Sequence, residues 1–250
     1  PAWCLHLIYC NEVLLEDVKI FTKYDEDGNL CDMFNGDGID LDSCSDVTVR
    51  SSLIGSEDDC IAIKSGRDVE GRRVGIPSKN ILIENCRFIS GFGVAIGSEM
   101  SGGVKNLTVA NCVFQNTERG IRVKTRRKRG GYVKNASFSN ILMENVGAVI
   151  TMNGYYCCVC GESPFPKEIL FDEGPQPVDE LTPYFSDIRI SGITARGVTG
   201  VGIYLYGLPE SPIRDVSISD VSMEIIGCDG GFPPVAAFNR KRCNGEGIVI

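Results

Sequence analysis

No stretch of this 250-residue chain approaches the roughly 20 consecutive apolar residues a membrane span needs, so no segment is a candidate spanning helix. Positive charge is scarce as well. Lys+Arg 25 against Asp+Glu 33 leaves a formal charge of -8, a poor balance for general nucleic-acid binding. Any polyanionic partner would need a local basic patch. Histidine occurs once, at His6. No segment carries a sustained 3.6-residue apolar stripe, which argues against helices as the main building element. What the chain does have is a hydrophobic fraction of 43% and a mean hydropathy of +0.01, which exclude disorder, and 29 glycines, which imply many turns. It opens at Pro1 with neither initiator methionine nor signal peptide, as expected for part of a longer protein.

The 12 cysteines permit a disulfide framework, but the chain exceeds the size at which that reading is strong. Cys86 and Cys112 sit in matching contexts, Asn85-Cys86-Arg87-Phe88 and Asn111-Cys112-Val113-Phe114, which suit positions on an apolar wall. Cys157, Cys158 and Cys160 crowd together without the paired spacing of a zinc site. We expect buried thiols of a reducing bacterial cytoplasm, with a secreted, disulfide-bonded protein as the alternative. No metal or other cofactor is expected.

An internal repeat organises the chain. An Asn, Asp or Glu followed by alternating apolar residues recurs at Glu12-Val13, Asp46-Val47, Asn80-Ile81, Asn106-Leu107, Asn135-Ala136, Asp187-Ile188 and Asp215-Val216. The spacing is roughly 30 residues, apart from one interval of nearly double length. Short alternating runs precede most of these: Ile39-Asp40-Leu41, Ile61-Ala62-Ile63, Val94-Ala95-Ile96, Ile121-Arg122-Val123 and Ile203-Tyr204-Leu205. Period-two alternation in runs this short indicates strands. A repeat of two or three short strands cannot bury its own apolar face, but stacked repeats can. The expected fold is all-β: a parallel β-helix forming one domain over residues 1–250. The proline-rich segment at about 157–185 reads as a loop insertion.

Stacking turns sequence alignment into neighbourhood. Ile39, Ile61, Val94, Ile121 and Ile203 form one inward column, and Leu41, Ile63, Ile96, Val123 and Leu205 the next. Asp40, Ala62, Ala95 and Arg122 must then face outward, followed by Asp42, Lys64, Gly97 and Lys124. The same register sets Asp37 level with Asp59 and Phe92, with Asp58 alongside. Carboxyl groups so placed raise one another's pKa, letting one stay protonated while others act as bases. Cleaving a glycosidic bond needs that division of labour. Aspartates at solenoid corners also cap turns or bind Ca²⁺, and that bland alternative stays open at this stage.

These residues resemble the signatures of glycoside hydrolase family 28, the polygalacturonases and their relatives. The family's NTD, DD, GHG and RIK motifs read here as Asn35-Gly36-Asp37, Asp58-Asp59, Gly91-Phe92-Gly93 and Arg122-Val123-Lys124. Further stretches, Cys60 to Arg67, Ile96 to Gly103 and Gly207 to Glu210, are similar to bacterial members, and the likeness of Glu99 to Gly103 to exo-acting ones, with the insertion, favours a blocked groove. Family members usually carry additional coils ahead of the position of Pro1. The resemblance implies a right-handed β-helix that hydrolyses α-1,4-galacturonosyl links with inversion. It makes Asp58 the general acid and gives water activation to Asp37 and Asp59. Asn35, Arg122, Lys124, Arg127 and Tyr156 become substrate-binding candidates, the run Arg126 to Arg129 extending the patch for substrate carboxylates. The expected partner is a pectic poly- or oligosaccharide, with no nucleic acid and no membrane. The motif histidine is replaced by Phe92, which implies reduced activity or another uronide as substrate. Two alternatives accompany this reading: β-elimination by a Ca²⁺-dependent pectate-lyase-like site, and a β-helix that binds carbohydrate without cleaving it.

Overall fold

The Asn, Asp and Glu residues that open the repeats stand where the backbone turns left-handed. Glu12, Asp46, Asn80, Asn106, Asn135, Asp187 and Asp215 all have φ between 53° and 56°. Apart from glycine, Asn and Asp tolerate that region best. Stacking then links their side chains: Asn80 Nδ2 donates to Asp46 Oδ1 (2.9 Å), Asn106 Nδ2 to Asn80 Oδ1 (2.8 Å) and Asn135 Nδ2 to Asn106 Oδ1 (2.9 Å). The repeat seen in the sequence is thus a ladder at a corner of a coil.

The structure, a computed structural model, describes residues 3–25, 27–30, 35–156, 165–227 and 248–249. The first coil contains β1 (Leu5–Ile8), β2 (Asn11–Glu16) and β3 (Lys19–Phe21). The second contains β4 (Ile39–Asp42), β5 (Ser45–Arg50) and β6 (Leu53–Gly55). Next come β7 (Ile61–Lys64), helix α1 (Asp68–Val74), β8 (Ser78–Glu84) and β9 (Arg87–Ser90), then β10 (Val94–Gly97), β11 (Val104–Ala110) and β12 (Val113–Gln115). From there the second and third strands of each coil merge. β13 (Arg119–Lys124) leads to the long β14 (Tyr132–Glu144), and β15 (Ala148–Asn153) leads through helix α2 (Lys167–Leu170) to β16 (Tyr184–Val198). β17 (Val201–Tyr206) leads to β18 (Arg214–Ile225), and β19 (Ile248–Val249) resumes the first sheet.

All these strands pair in parallel. One sheet runs β1-β4-β7-β10-β13-β15-β17-β19. The other runs β2-β5-β8-β11-β14 and returns along β12-β9-β6-β3, because β14 is long enough to pair with both series. The fold is the right-handed parallel β-helix that the sequence leads one to expect. The inward columns are as aligned: Ile39 pairs with Ile61, Ile61 with Val94, and Val94 with Ile121, and all four are fully buried. Phe88 and Phe114 stack one above the other inside, with ring centroids 4.6 Å apart.

The connections that follow the first sheet carry α1 and the insertion between β15 and β16. The latter ends where β16 begins at Tyr184, just short of the boundary expected from composition. Cys157, Cys158 and Cys160 lie outside the described residues, as does the insertion's first part through Pro164. Cys86 and Cys112 are buried as expected. With Cys4, Cys10, Cys44 and Cys60 they are free thiols. No helix among the described residues is long and apolar enough to cross a membrane.

Candidate active site

The turns that enter the first sheet bring the acidic groups together. Asn35 takes a left-handed conformation (φ 58°), and its Nδ2 donates to Asp58 Oδ2 at 3.3 Å. The neighbouring Gly36 N–H donates to Glu57 Oε2 (3.1 Å), while the Gly36 carbonyl accepts from the N–H groups of Glu57 (3.2 Å) and Asp58 (3.3 Å). One turn therefore grips the next. A Cβ at Gly91 would collide with Ser56 Oγ and the Asp58 carbonyl, and one at Gly93 with the Gly120 and Arg119 carbonyls. Those two glycines let the turn around Phe92 close on its neighbours, and the Phe92 N–H donates to the Asp58 carbonyl at 2.9 Å.

Asp37 and Asp59 are each only 2% exposed, whereas Asp58 is half-buried at the rim. Lys124, at the end of β13, places Nζ 2.6 Å from Asp59 Oδ2. Lys64, at the end of β7, places Nζ 2.7 Å from Asp40 Oδ1 and 3.6 Å from Asp37 Oδ2. Burial pushes the Asp37 carboxyl up to about 9, reinforced by the charges of Asp59, Asp58 and Asp40 and opposed by Lys64. Burial, with the charge of Asp59, raises Asp58 to about 6, against the pull of Lys124 and Arg122. Asp40 is raised by burial and pulled back by Lys64. One oxygen of Asp37, Oδ1, and one of Asp59, Oδ1, have no hydrogen-bond partner among the described residues. The cluster is thus a proton-holding group of carboxyls with two ammonium counter-charges set into it.

Arg122 projects from β13 with its guanidinium carbon 5.0 Å from the Tyr156 ring centroid and 5.6 Å from that of Phe92. Lys124 Nζ is 5.5 Å from the Tyr156 ring. Such placements over aromatic faces hold a cation without neutralising it. The structure thus gathers Asn35, Asp37, Asp58, Asp59, Arg122, Lys124 and Tyr156 along one wall. Arg122 lies level with Ala95, and Ala95 with Ala62, as the alignment has it. His6 pairs in register with Asp40 and places Nε2 3.7 Å from Asp42 Oδ2, with the Trp3 ring against it at 4.7 Å.

Arg127 must be corrected. It is 1% exposed, and all five of its N–H donors are engaged. Glu210 takes two, at 2.6 and 2.9 Å, and the carbonyls of Ile169 (3.3 Å), Asp172 and Gly174 (3.0 Å) take the rest. It is a buried anchor for the insertion, not a contact for substrate. The rest of the basic run is engaged as well. Arg126 and Arg129 both reach Asp68 at the start of α1, and Lys128 reaches Asp179. The run ties two loops to the solenoid, and no basic patch for substrate extends along it. Sequence reasoning also passed over Lys64 and Asp40 as site residues. Both stand in the outward columns the alignment had already drawn, and that placement was the signal available.

The model of glycosyl hydrolases family 28 matches residues 1–231. A probable polygalacturonase of Vitis vinifera is 30% identical over 227 residues, covering 90% of this chain and 42% of the relative. An endo-polygalacturonase of Pectobacterium carotovorum subsp. carotovorum is 36% identical over 122 residues, 49% of this chain and 29% of the relative. Among solved structures, a hyperthermoactive exopolygalacturonase from Thermotoga maritima is 32% identical with a TM-score of 0.71, over 89% of this chain and 45% of that one. An endo-xylogalacturonan hydrolase from Aspergillus tubingensis, 18% identical over 90% of this chain and 56% of that one, shares the fold with a TM-score of 0.66. The chain spans less than half the length of the Vitis and Thermotoga proteins it matches.

Proposed function

The chain belongs to glycosyl hydrolases family 28, and from that premise we propose that it hydrolyses α-1,4-galacturonosyl links in pectic poly- or oligosaccharides with inversion. The observation that carries this reading is the division within the acidic cluster. Asp58, raised to about 6 by burial beside Asp59, retains a proton in mildly acidic solution and stands at the rim, where a glycosidic oxygen would approach. It is the general acid. Asp59, ion-paired to Lys124, keeps one oxygen to take the proton of the attacking water, and Asp37, which burial keeps protonated, orients that water beside Lys64. In an inverting displacement, proton donation to the leaving oxygen and removal of a proton from water occur on opposite faces of the sugar. Arg122 and Lys124, aligned beside Tyr156, receive the substrate carboxylate, which a planar guanidinium can grip with two parallel N–H donors.

The Ca²⁺-lyase alternative is less well supported. Asp37, Asp40 and Asp59 already face ammonium groups at ion-pair distance, and a cation would have to displace Lys64 and Lys124 to reach them. The deciding experiment incubates the full-length parent with polygalacturonate and identifies the products by mass. Saturated galacturonate oligomers or monomers, lost on Asp58→Asn, support hydrolysis. Products lighter by one water per cleavage, with ultraviolet absorbance, would establish elimination instead. No new ends at any pH would leave a binding module.

A further inference from the structure

The acid and water-activating roles leave Lys64, a buried charge beside the acidic cluster, unaccounted for. The Lys64 side chain is 6% exposed. Its Nζ is in reach of Asp40 Oδ1 (2.7 Å), Glu99 Oε2 (3.5 Å) and Asp37 Oδ2 (3.6 Å). The Trp3 ring lies against it as well, its centroid 3.6 Å from Nζ. The carboxylates come from both neighbouring coils: Asp37 and Asp40 from the turn and strand of β4, and Glu99 from just past β10. An ammonium is expensive to bury unless it is paired. Burial alone would draw Lys64 down, but Asp40, Glu99 and Asp37 outweigh it and hold the group charged. Its donors point at protein carboxylates and its remaining side faces an indole, so it is built to hold groups in place and not to receive a sugar.

We infer that Lys64 is a positioning residue for water activation: anchored on Asp40 and Glu99, it fixes Asp37 by Oδ2 and turns Oδ1 towards the water. This rests on the hydrolytic reading above. Asp40 is fully buried, on the same strand as the turn that carries Asp37, and serves as the fixed end of the clamp. The charged groups facing Asp37 are Asp59, Asp58, Asp40 and Lys64; Asp40 in turn faces Lys64, Asp59 and His6. Removing Lys64 must therefore make Asp37 hold its proton to higher pH. Removing the Asp40 charge must do the reverse.

The test uses the full chain and four variants: Lys64→Met, Lys64→Arg, Asp40→Asn and the double variant Lys64→Met with Asp40→Asn. The double variant removes both charges and so keeps the fold within reach if Lys64→Met alone does not fold. On a galacturonate oligomer, the double variant is expected to lose about a hundredfold in kcat with KM nearly unchanged, the scale of a misplaced catalytic group. Lys64→Arg should recover part of that loss. Carbon-13 carboxyl titration, with Asp37 assigned by its loss in Asp37→Asn, should move up in Lys64→Met and down in Asp40→Asn. A double variant with wild-type kcat, or an Asp37 titration that Asp40→Asn leaves in place, would overturn the assignment. A parent that cleaves no galacturonan refutes the hydrolytic reading, whereas the titration reports on the Lys64–Asp37 pair without any turnover.

Discussion

The charge environment of Asp58 makes a prediction with a sign at every step. Its carboxyl is raised from 3.8 to about 6, chiefly by burial and then by Asp59, while Lys124 and Arg122 pull it down. A general acid must be protonated, so kcat/KM should fall above pH 6 by about tenfold per pH unit. Lys124→Met removes a cation that favours the ionised form, so the alkaline limb should move up. Asp59→Asn removes an anion that favours the protonated form, so the limb of its residual activity should move down. Stability follows the same linkage. A carboxyl raised on folding contributes stability that is fully present below pH 3.8 and lost as pH rises through about 6. Two pH units correspond to about 3 kcal/mol, so Asp58→Asn should gain on the order of that amount relative to wild type above pH 6. The assays are initial rates of reducing-end release from pH 3 to 9 and thermal unfolding over the same range. Limbs that shift in the same direction in Lys124→Met and Asp59→Asn, or an Asp58→Asn protein less stable than wild type at neutral pH, would refute the electrostatic reasoning.

Other outcomes follow from the packing. Arg127→Met strips Glu210 of its only ion-pair partner among the described residues; it should cost about 3–5 kcal/mol and expose residues 165–176 to limited proteolysis. Asn106→Ala breaks two rungs of the corner ladder at a left-handed residue and should lower stability by about 1–2 kcal/mol in denaturant titration, with Asn106→Gly costing less. Phe114→Ala opens a cavity beside Phe88 and should cost about 3–5 kcal/mol by the same measurement. Phe92→His should raise kcat severalfold by placing a hydrogen-bonding ring between the acidic turn and Arg122; an unchanged or lower kcat would show that the Phe92 face is needed to hold Arg122.

The register was legible because a stacked coil repeats its burial pattern at every turn. Ile39, Ile61, Val94 and Ile121 could be aligned by their period-two neighbours alone, and the alignment placed Asp37 beside Asp59. The left-handed corner residues were also visible, as the recurring Asn and Asp, although their conformation and hydrogen-bonded ladder were not. What the alignment could not supply was pairing between loops. Arg126, Arg127, Lys128 and Arg129 read as an extension of the patch for substrate carboxylates because their partners Asp68, Asp179 and Glu210 lie on other connections, far away in sequence. Lys64 was missed for the opposite reason. Its outward position is that of an ordinary surface lysine, and only the convergence of Asp40, Asp37 and Glu99 upon it turns that position into a buried one.

The central claim is that Asp58 donates a proton while water, held by Asp37 and Asp59, attacks from the far side. Proton NMR of the first sugar released from an α-linked galacturonate oligomer tests it most directly. The account predicts that the new reducing end appears first as the β-anomer and that Asp58→Asn produces none. An α-anomer at first appearance, or undiminished release by Asp58→Asn, would contradict it.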